Sequence, residues 1–327
     1  MKHKKWTVYV PEFISPIEPQ REILEPIAEI KSGLAKDEKE LISIASQVDA
    51  ILVSMNTNVT RSVIEACPKL KIIAKYGVGI ENIDIEAATD MRIPVTYNPG
   101  VNADAVASLT IGLMLAVIRG IQIGKKYIDS KNVWNDPKFM GDDINGSTIG
   151  IIGYGHIAKK TIRKLQGFDA KKILVFTETK KNEKPEYSNV DFVDLQYLLR
   201  EADIVSIHKS LTPQSRGLIG KKALKTMKNT AYLINTSRGA LVQEKALIQA
   251  LSEGLLAGAA LDVLEKEPSD RDNPLIAMDN VVMTPHIGAS TRKTRMINVT
   301  NTANNISNIL QSKKIDLKFV ANPEVLS

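Results

Sequence analysis

Short apolar runs and longer stretches with apolar positions every third or fourth residue alternate along most of the chain. Residues 7–10 (TVYV), 50–54 (AILVS), 71–77 (KIIAKYG) and 93–98 (IPVTYN) read as strands. They do not alternate apolar with polar, so both faces of their sheet are covered. Residues 19–30, 60–66 and 85–91 read as the helices between them. Asn98-Pro99-Gly100 breaks the pattern. Residues 104–127 then read as one long helix, with Val106, Leu109, Leu113 and Val117 on one face, and 134–146 as a loop. The rhythm resumes with strands at 149–152, 172–176, 203–208, 231–235, 257–261 and 280–284. Helices at 195–201, 220–227 and 245–252 separate them. A last helix, 292–310, leads to a strand-like tail, 315–320, expected to return to the first domain. Strand–helix alternation of this kind predicts an α/β fold with parallel sheets. The expected domains are 1–103 with 291–327, and 104–290.

The stretch STIGIIGYGHIAKKTIRKL, residues 147–165, carries the first chemistry. Gly153-Tyr154-Gly155-His156-Ile157-Ala158 fits G-x-G-x-x-[GA]. Gly153 can take a turn's unusual dihedrals, Gly155 has no side chain to hold off a pyrophosphate, and Ala158 lets helix and strand pack closely. The amides of His156 and Ile157 open a helix, where peptide dipoles favour an anion. Such glycines also occur in ordinary βα turns. The apolar strand before them and the Ile162/Leu165 spacing after them point to dinucleotide binding in a Rossmann-type domain. The first domain lacks this pattern and is read as the substrate domain. There, Lys75-Tyr76-Gly77-Val78-Gly79 follows a strand, and its glycines would let backbone amides face a small anion.

Composition narrows the function classes. A net charge of +6 could suggest nucleic acid, but the lysines are mixed with acids, as in KSGLAKDEKE, and only 5% of residues are aromatic. No nucleic-acid or membrane partner is expected, since the apolar-rich segment 109–123 is too short and too polar to span a bilayer. The start shows no signal-peptide pattern. The single cysteine, Cys67, fits a reducing cytoplasm and reads as a buried structural thiol. No Cys/His cluster has metal-ligand spacing.

Three residues fall at predicted C-terminal strand ends, where doubly wound sheets bind ligands. They are Arg238, Glu267 and His286. An imidazole can take and give a proton near neutral pH. A nearby carboxylate would orient it and raise its pKa, and a guanidinium offers a planar fork to a substrate carboxylate.

GYGHIA, INTSRGALV, GAALDVLEKEP and TPHIGAST together resemble the D-isomer-specific 2-hydroxyacid dehydrogenases. The resemblance runs from AKYGVGIENID to FVANPEV and is nearest in flavour to phosphoglycerate dehydrogenases and glyoxylate/hydroxypyruvate reductases. It implies two Rossmann-like doubly wound parallel-sheet domains, the substrate domain discontinuous and flavodoxin-like, an active site between them, and a homodimer. It assigns the substrate carboxylate to Arg238, acid–base work to His286 and support of that histidine to Glu267. Asp262 would lie near the nicotinamide carboxamide. Thr236, Ser237, Arg238, His208, Lys209, Thr212, His286, Gly288 and Ala289 join the glycine turn as cofactor contacts. Lys75, Tyr76, Gly77, Val78 and Gly79 would form the substrate loop.

The chain departs from the family pattern in places. Val53-Ser54-Met55-Asn56 stands where phosphoglycerate dehydrogenases carry arginines for the substrate phosphate, although Lys75 could substitute. The usual His-x-Pro-Leu-Thr reads His208-Lys209-Ser210-Leu211-Thr212, and a glutamate common in the long helix is Ser108. The chain reaches its last residue without the regulatory domain of longer members, so serine feedback through one is not expected. The second strand of the cofactor domain ends in Thr177 and Glu178. An acid there accepts hydrogen bonds from the adenosine ribose and repels a 2′-phosphate. Lys180 and Lys181 could instead pair with that phosphate. The balance favours NAD, with NADP the alternative. The expected reaction is hydride transfer between nicotinamide and C2 of a D-2-hydroxy or 2-keto acid, with glyoxylate or hydroxypyruvate ahead of 3-phosphoglycerate. The competing readings are a 3-phosphoglycerate dehydrogenase and a non-catalytic nucleotide-sensing scaffold like the family's corepressors.

Overall fold

The computed structural model describes residues 5–14, 17–131, 140–178 and 185–326. The chain divides into two compact units, Met1–Asn102 with Ser290–Ser327, and Ala103–Ala289.

The first unit holds a five-stranded parallel sheet. Its strands are β1 (Trp6–Pro11), β2 (Ala28–Gly33), β3 (Ala50–Val53), β4 (Ile72–Lys75) and β5 (Val95–Thr96). They lie in the order β2-β1-β3-β4-β5, the flavodoxin-like arrangement. Every residue of β3 and β4 is buried, as the unalternating runs require. Ile51, Val53 and Ile73 face Val63, Ile64 and Ala87 of two short helices, and Leu52, Ile72 and Ala74 face Ala303 and Ile306 of Arg292–Leu310.

Three local expectations fail in this unit. The helix expected at 19–30 stops at Gln20–Leu24, and the chain then enters β2. Among the described residues β2 pairs only with β1, and it is largely exposed, so its sequence AEIKSG carries no apolar run. The charged run 36–40 is the start of an unanticipated helix, Glu38–Ala45, with Leu41 and Ala45 inward and Asp37 capping it. The tail forms single helical turns, Leu317–Phe319 and Pro323–Leu326, with one antiparallel bridge from Val320 to Thr96. It is tied to β5 by Ala321 N donating to Val95 O and Val95 N to Asn322 Oδ1, both at 2.8 Å. Cys67 is buried here, and burial pushes its thiol pKa up to about 11.

The second unit holds seven parallel strands. They are β6 (Thr148–Ile152), β7 (Lys172–Phe176), β8 (Val190–Phe192), β9 (Ile204–Ile207), β10 (Tyr232–Asn235), β11 (Gly258–Leu261) and β12 (Val281–Met283). The order β12-β11-β10-β9-β6-β7-β8 is the Rossmann order with one strand added. Strand order reverses between β6 and β9, and ligands of such sheets bind at the carboxyl ends there. The predicted helix 104–127 is two helices, Ala103–Ile118 and Ile121–Lys131, meeting at 54°. Gly120 at the break has φ +59°, a conformation open to glycine at little cost. The first half is buried against β10, β11 and the helix His156–Leu165. No single helix among the described residues is long and apolar enough to cross a membrane. The expected loop 134–146 lies partly outside the described residues.

Candidate active site

The C-terminal edge of the seven-stranded sheet gathers most of the candidate residues. From β12 to β7 come His286, then Glu267 and Asp262, then Thr236 to Arg238, His208 and Lys209, the glycine turn, and Thr177 with Glu178. Adjacent strands lie about 4.8 Å apart, so this row spans about 24 Å, a length suited to an extended ligand.

At one end the loop after β12 is folded around the buried Asp262. Its Oδ1 accepts from Thr284 Oγ1 at 2.6 Å and Ile287 N at 2.8 Å, and Oδ2 accepts from Gly288 N at 2.8 Å. A Cβ on Gly288 would sit 2.9 Å from that Oδ2, so the loop closes this tightly only on glycine. His286 between them has φ +54°, uncommon for a residue with a side chain, and its N donates to Asp262 O at 2.9 Å. Asp262 therefore anchors the histidine loop, with three of its roughly four acceptor positions taken.

The ring of His286 faces Glu267, with Nδ1 2.6 Å from Oε2. Glu267 Oε1 accepts from Leu264 N at 2.9 Å, which fixes the carboxylate. The Glu267 hydrogen bond raises the His286 pKa above its ordinary value; partial burial and Arg238 oppose it, and the charges of Glu267 and Asp262 add to it. Burial pushes Glu267 up, but the bonds from His286 and Leu264 and the nearby positive charges hold it below the usual carboxylate range. With Nδ1 directed at the carboxylate, Nε2 is the nitrogen left for proton exchange.

Arg238 follows β10 in the turn Thr236-Ser237-Arg238. Asn235 builds that turn: its Oδ1 accepts from Ser237 N and its Nδ2 donates to Arg238 O, both at 3.0 Å. Arg238 Nη1 donates to Ser237 O at 2.9 Å. Its charge reaches both Glu267 and His286. Ser237 Oγ donates to Ile207 O and Thr236 Oγ1 meets Thr110 Oγ1, so both hydroxyls brace the sheet edge. Asn235 and Thr284 were not singled out from the sequence. An asparagine opening a turn and a threonine before Pro285 are the local signals that point to them.

At the switch point Gly153 has φ +102°. A Cβ there would lie 2.5 Å from His208 O and 3.0 Å from Lys209 N. Gly155 caps the helix His156–Leu165 without a side-chain bond, and nothing lies within 4 Å of where its Cβ would be. The open space above uncapped amides fits the pyrophosphate of a dinucleotide. Ala158 is fully buried.

Several cofactor candidates also make contacts within the protein. His208 is buried, its Nε2 meets Ser206 Oγ at 2.9 Å, and burial pushes its pKa down to about 4. Its Nδ1 has no partner among the described residues. Thr212 exchanges hydrogen bonds with Ser215 and closes the turn after Leu211. Ala289 is half-buried after Gly288. Glu178 pairs with Lys209 at 2.6 Å. Lys180 and Lys181 lie outside the described residues.

In the first unit, Lys75 is only 5% exposed. Its Nζ donates to Ser54 O at 3.1 Å and Asn82 Oδ1 at 2.6 Å, bracing the loop that holds Ser54 and Asn56. Tyr76 is half-buried, and Gly77, at φ +121°, accepts from Asn98 N. Val78 and Gly79 are half-buried, and neither amide makes a backbone hydrogen bond among the described residues.

The chain belongs to the D-isomer-specific 2-hydroxyacid dehydrogenase family. The sequence profile of that family's NAD-binding domain matches residues 111–288. The chain is 39% identical to a glyoxylate reductase of Thermofilum pendens, over 94% of this chain and 92% of that one. It is 38% identical to a D-3-phosphoglycerate dehydrogenase of Methanocaldococcus jannaschii, over 89% of this chain but about half, 55%, of that protein. Among solved structures, a glyoxylate reductase from Paecilomyes thermophila superposes with a TM-score of 0.86 at 27% identity, over 98% of this chain and 99% of that one. The protein is thus an NAD(P)-dependent oxidoreductase acting on the CH–OH group of a small D-2-hydroxy acid.

Proposed function

We propose that the chain reduces glyoxylate, hydroxypyruvate or a related small 2-keto acid with NADH, and uses phosphohydroxypyruvate poorly. The observation that carries the chemistry is the 2.6 Å contact between His286 and Glu267 beside Arg238. Arg238 holds the substrate carboxylate, with the amides of Val78 and Gly79 as further donors. Held this way, C2 is oriented and its oxygen is offered to His286 Nε2. The nicotinamide, when bound, supplies the hydride to C2. His286 gives its proton to the forming alkoxide and takes it back in the oxidation direction. Glu267 keeps the imidazolium charged and its ring fixed. The uncapped amides of His156 and Ile157 hold the pyrophosphate, Thr177 and Glu178 lie toward the adenosine ribose, and Thr236, Ser237 and Asp262 line the nicotinamide end.

The preference for an unphosphorylated acid rests on three residues. Ser54 and Asn56 are neutral, and Lys75 is buried in bonds to Ser54 and Asn82. The homodimer belongs to the same reading. Ile121 and Ile128, seven residues apart on one helix face, are 60% and 41% exposed, as a covered contact face would be in a lone chain. Sedimentation velocity reads that state directly. The substrate is tested by kcat/KM for glyoxylate, hydroxypyruvate, phosphohydroxypyruvate and 2-ketogluconate with NADH and NADPH. Glyoxylate or hydroxypyruvate should lead. A large advantage for phosphohydroxypyruvate would overturn the assignment.

A further inference from the structure

β7 and β9 flank β6, so the ion pair between Glu178 and Lys209 spans the strand end from which the glycine turn leaves. Other contacts fix it there. Gly153 N donates to Phe176 O at 2.8 Å, two residues before Glu178, and the backbone N of Lys209 lies 3.0 Å from the position of a Cβ on Gly153. The Lys209 side chain is 18% exposed and the Glu178 side chain 59%. The lysine is thus the more buried partner of the pair. In this fold the adenosine ribose lies at the end of the second strand, where an acid selects the 2′-hydroxyl and a cation accepts a 2′-phosphate. Among the described residues one group of each kind meets there, and each occupies the other.

We propose that Lys209 sets the choice between NADH and NADPH by pairing with Glu178. The bridge neutralises the carboxylate that would repel a 2′-phosphate, and it withholds the ammonium that would attract one. Wild-type selectivity for NADH is therefore mild. The inference rests on the adenosine ribose lying beside Glu178, and goes beyond the substrate assignment, which it does not need. Removing each partner has an opposite effect. In Lys209→Met the unpaired carboxylate opposes a 2′-phosphate. In Glu178→Gln the released ammonium pairs with it.

The test is calorimetric titration of the apoprotein with adenosine 2′,5′-bisphosphate and with AMP, paired with KM for NADPH and NADH. It uses wild type, Lys209→Met, Lys209→Arg, Glu178→Gln and the double variant. Charge pairs at such range in a half-exposed site change affinity about tenfold. Glu178→Gln should bind the bisphosphate about tenfold more tightly, and the double variant should lose that gain. Lys209→Met should weaken bisphosphate and NADPH about tenfold with AMP and NADH changed less than threefold, and Lys209→Arg should behave as wild type. A Glu178→Gln gain that survives in the double variant would overturn the proposal. So would bisphosphate affinity unchanged in Lys209→Met while AMP still binds. Intact reduction of a 2-keto acid by the wild-type protein would show that the failure lies in this inference and not in the proposed reaction.

Discussion

His286 sits at φ +54° in a loop closed on the Asp262 carboxylate, with its ring bonded to Glu267. Reduction requires the imidazolium, so kcat/KM should be level at low pH and fall as pH rises through a His286 pKa raised by Glu267. Glu267→Gln removes that cause while burial and Arg238 still oppose the charge, so the falling limb should move to lower pH. A limb that stays in place would show that the carboxylate does not tune the ring. The same pair has a signature in stability. The His286 contribution is complete below its unfolded pKa near 6.5 and is lost as pH rises through the raised folded value. The Glu267 contribution is complete above its unfolded pKa near 4.5 and is lost as pH falls through the lowered folded value. The Tm difference between wild type and Glu267→Gln should therefore be greatest between about 4.5 and 6.5 and shrink on both sides. Arg238→Lys keeps the charge and loses the fork. It should lower kcat/KM about 100-fold for every 2-keto acid, with NADH affinity unchanged.

At the scale of elements, the glycine turn offers a clean contrast. Gly153→Ala places a Cβ 2.5 Å from His208 O at φ +102°. It should cost about 2 kcal/mol or more, read as a lower urea midpoint, and abolish NADH binding. Gly155→Ala meets no protein atom within 4 Å. It should leave the unfolding free energy within about 0.5 kcal/mol and still weaken NADH at least about tenfold, because the methyl enters the space assigned to the pyrophosphate. Loss of stability in Gly155→Ala, or retained NADH affinity, would displace the pyrophosphate from this turn. What the sequence reveals of the elements follows burial. β3, β4, β9 and β11 are buried at every position and stand out as apolar runs. β2 and β8 each lie at one edge of a sheet, and their sequences AEIKSG and VDF carry no apolar run and look like loops, whereas β5 and β12 at the opposite edges keep the apolar residues of VT and VVM in apolar surroundings and are legible. The kink at Gly120 escapes periodicity because apolar spacing continues across it.

Across the whole molecule, sequence and structure agree on two parallel-sheet α/β units. The grouping of Arg238, Glu267 and His286 was legible because each lies in the loop that follows a strand, and β10, β11 and β12 are neighbours. Less legible was which hydroxyls and cations are engaged elsewhere. Thr212, Ser237 and Lys75 have the right types for ligand contacts, and each also bonds within the protein, to Ser215, to Ile207 and to Ser54 with Asn82. Such pairings depend on distances between segments far apart in the chain, which residue type does not encode.

The central claim is that His286 moves the proton while the nucleotide is held elsewhere. Single-turnover oxidation of bound NADH by glyoxylate, in wild type and His286→Gln, tests it most directly. The rate should fall about 10²–10⁴-fold, with the Kd for NADH by fluorescence titration unchanged. A fall of less than about tenfold with the nucleotide still bound, against the cost expected for losing a general acid, would contradict the account.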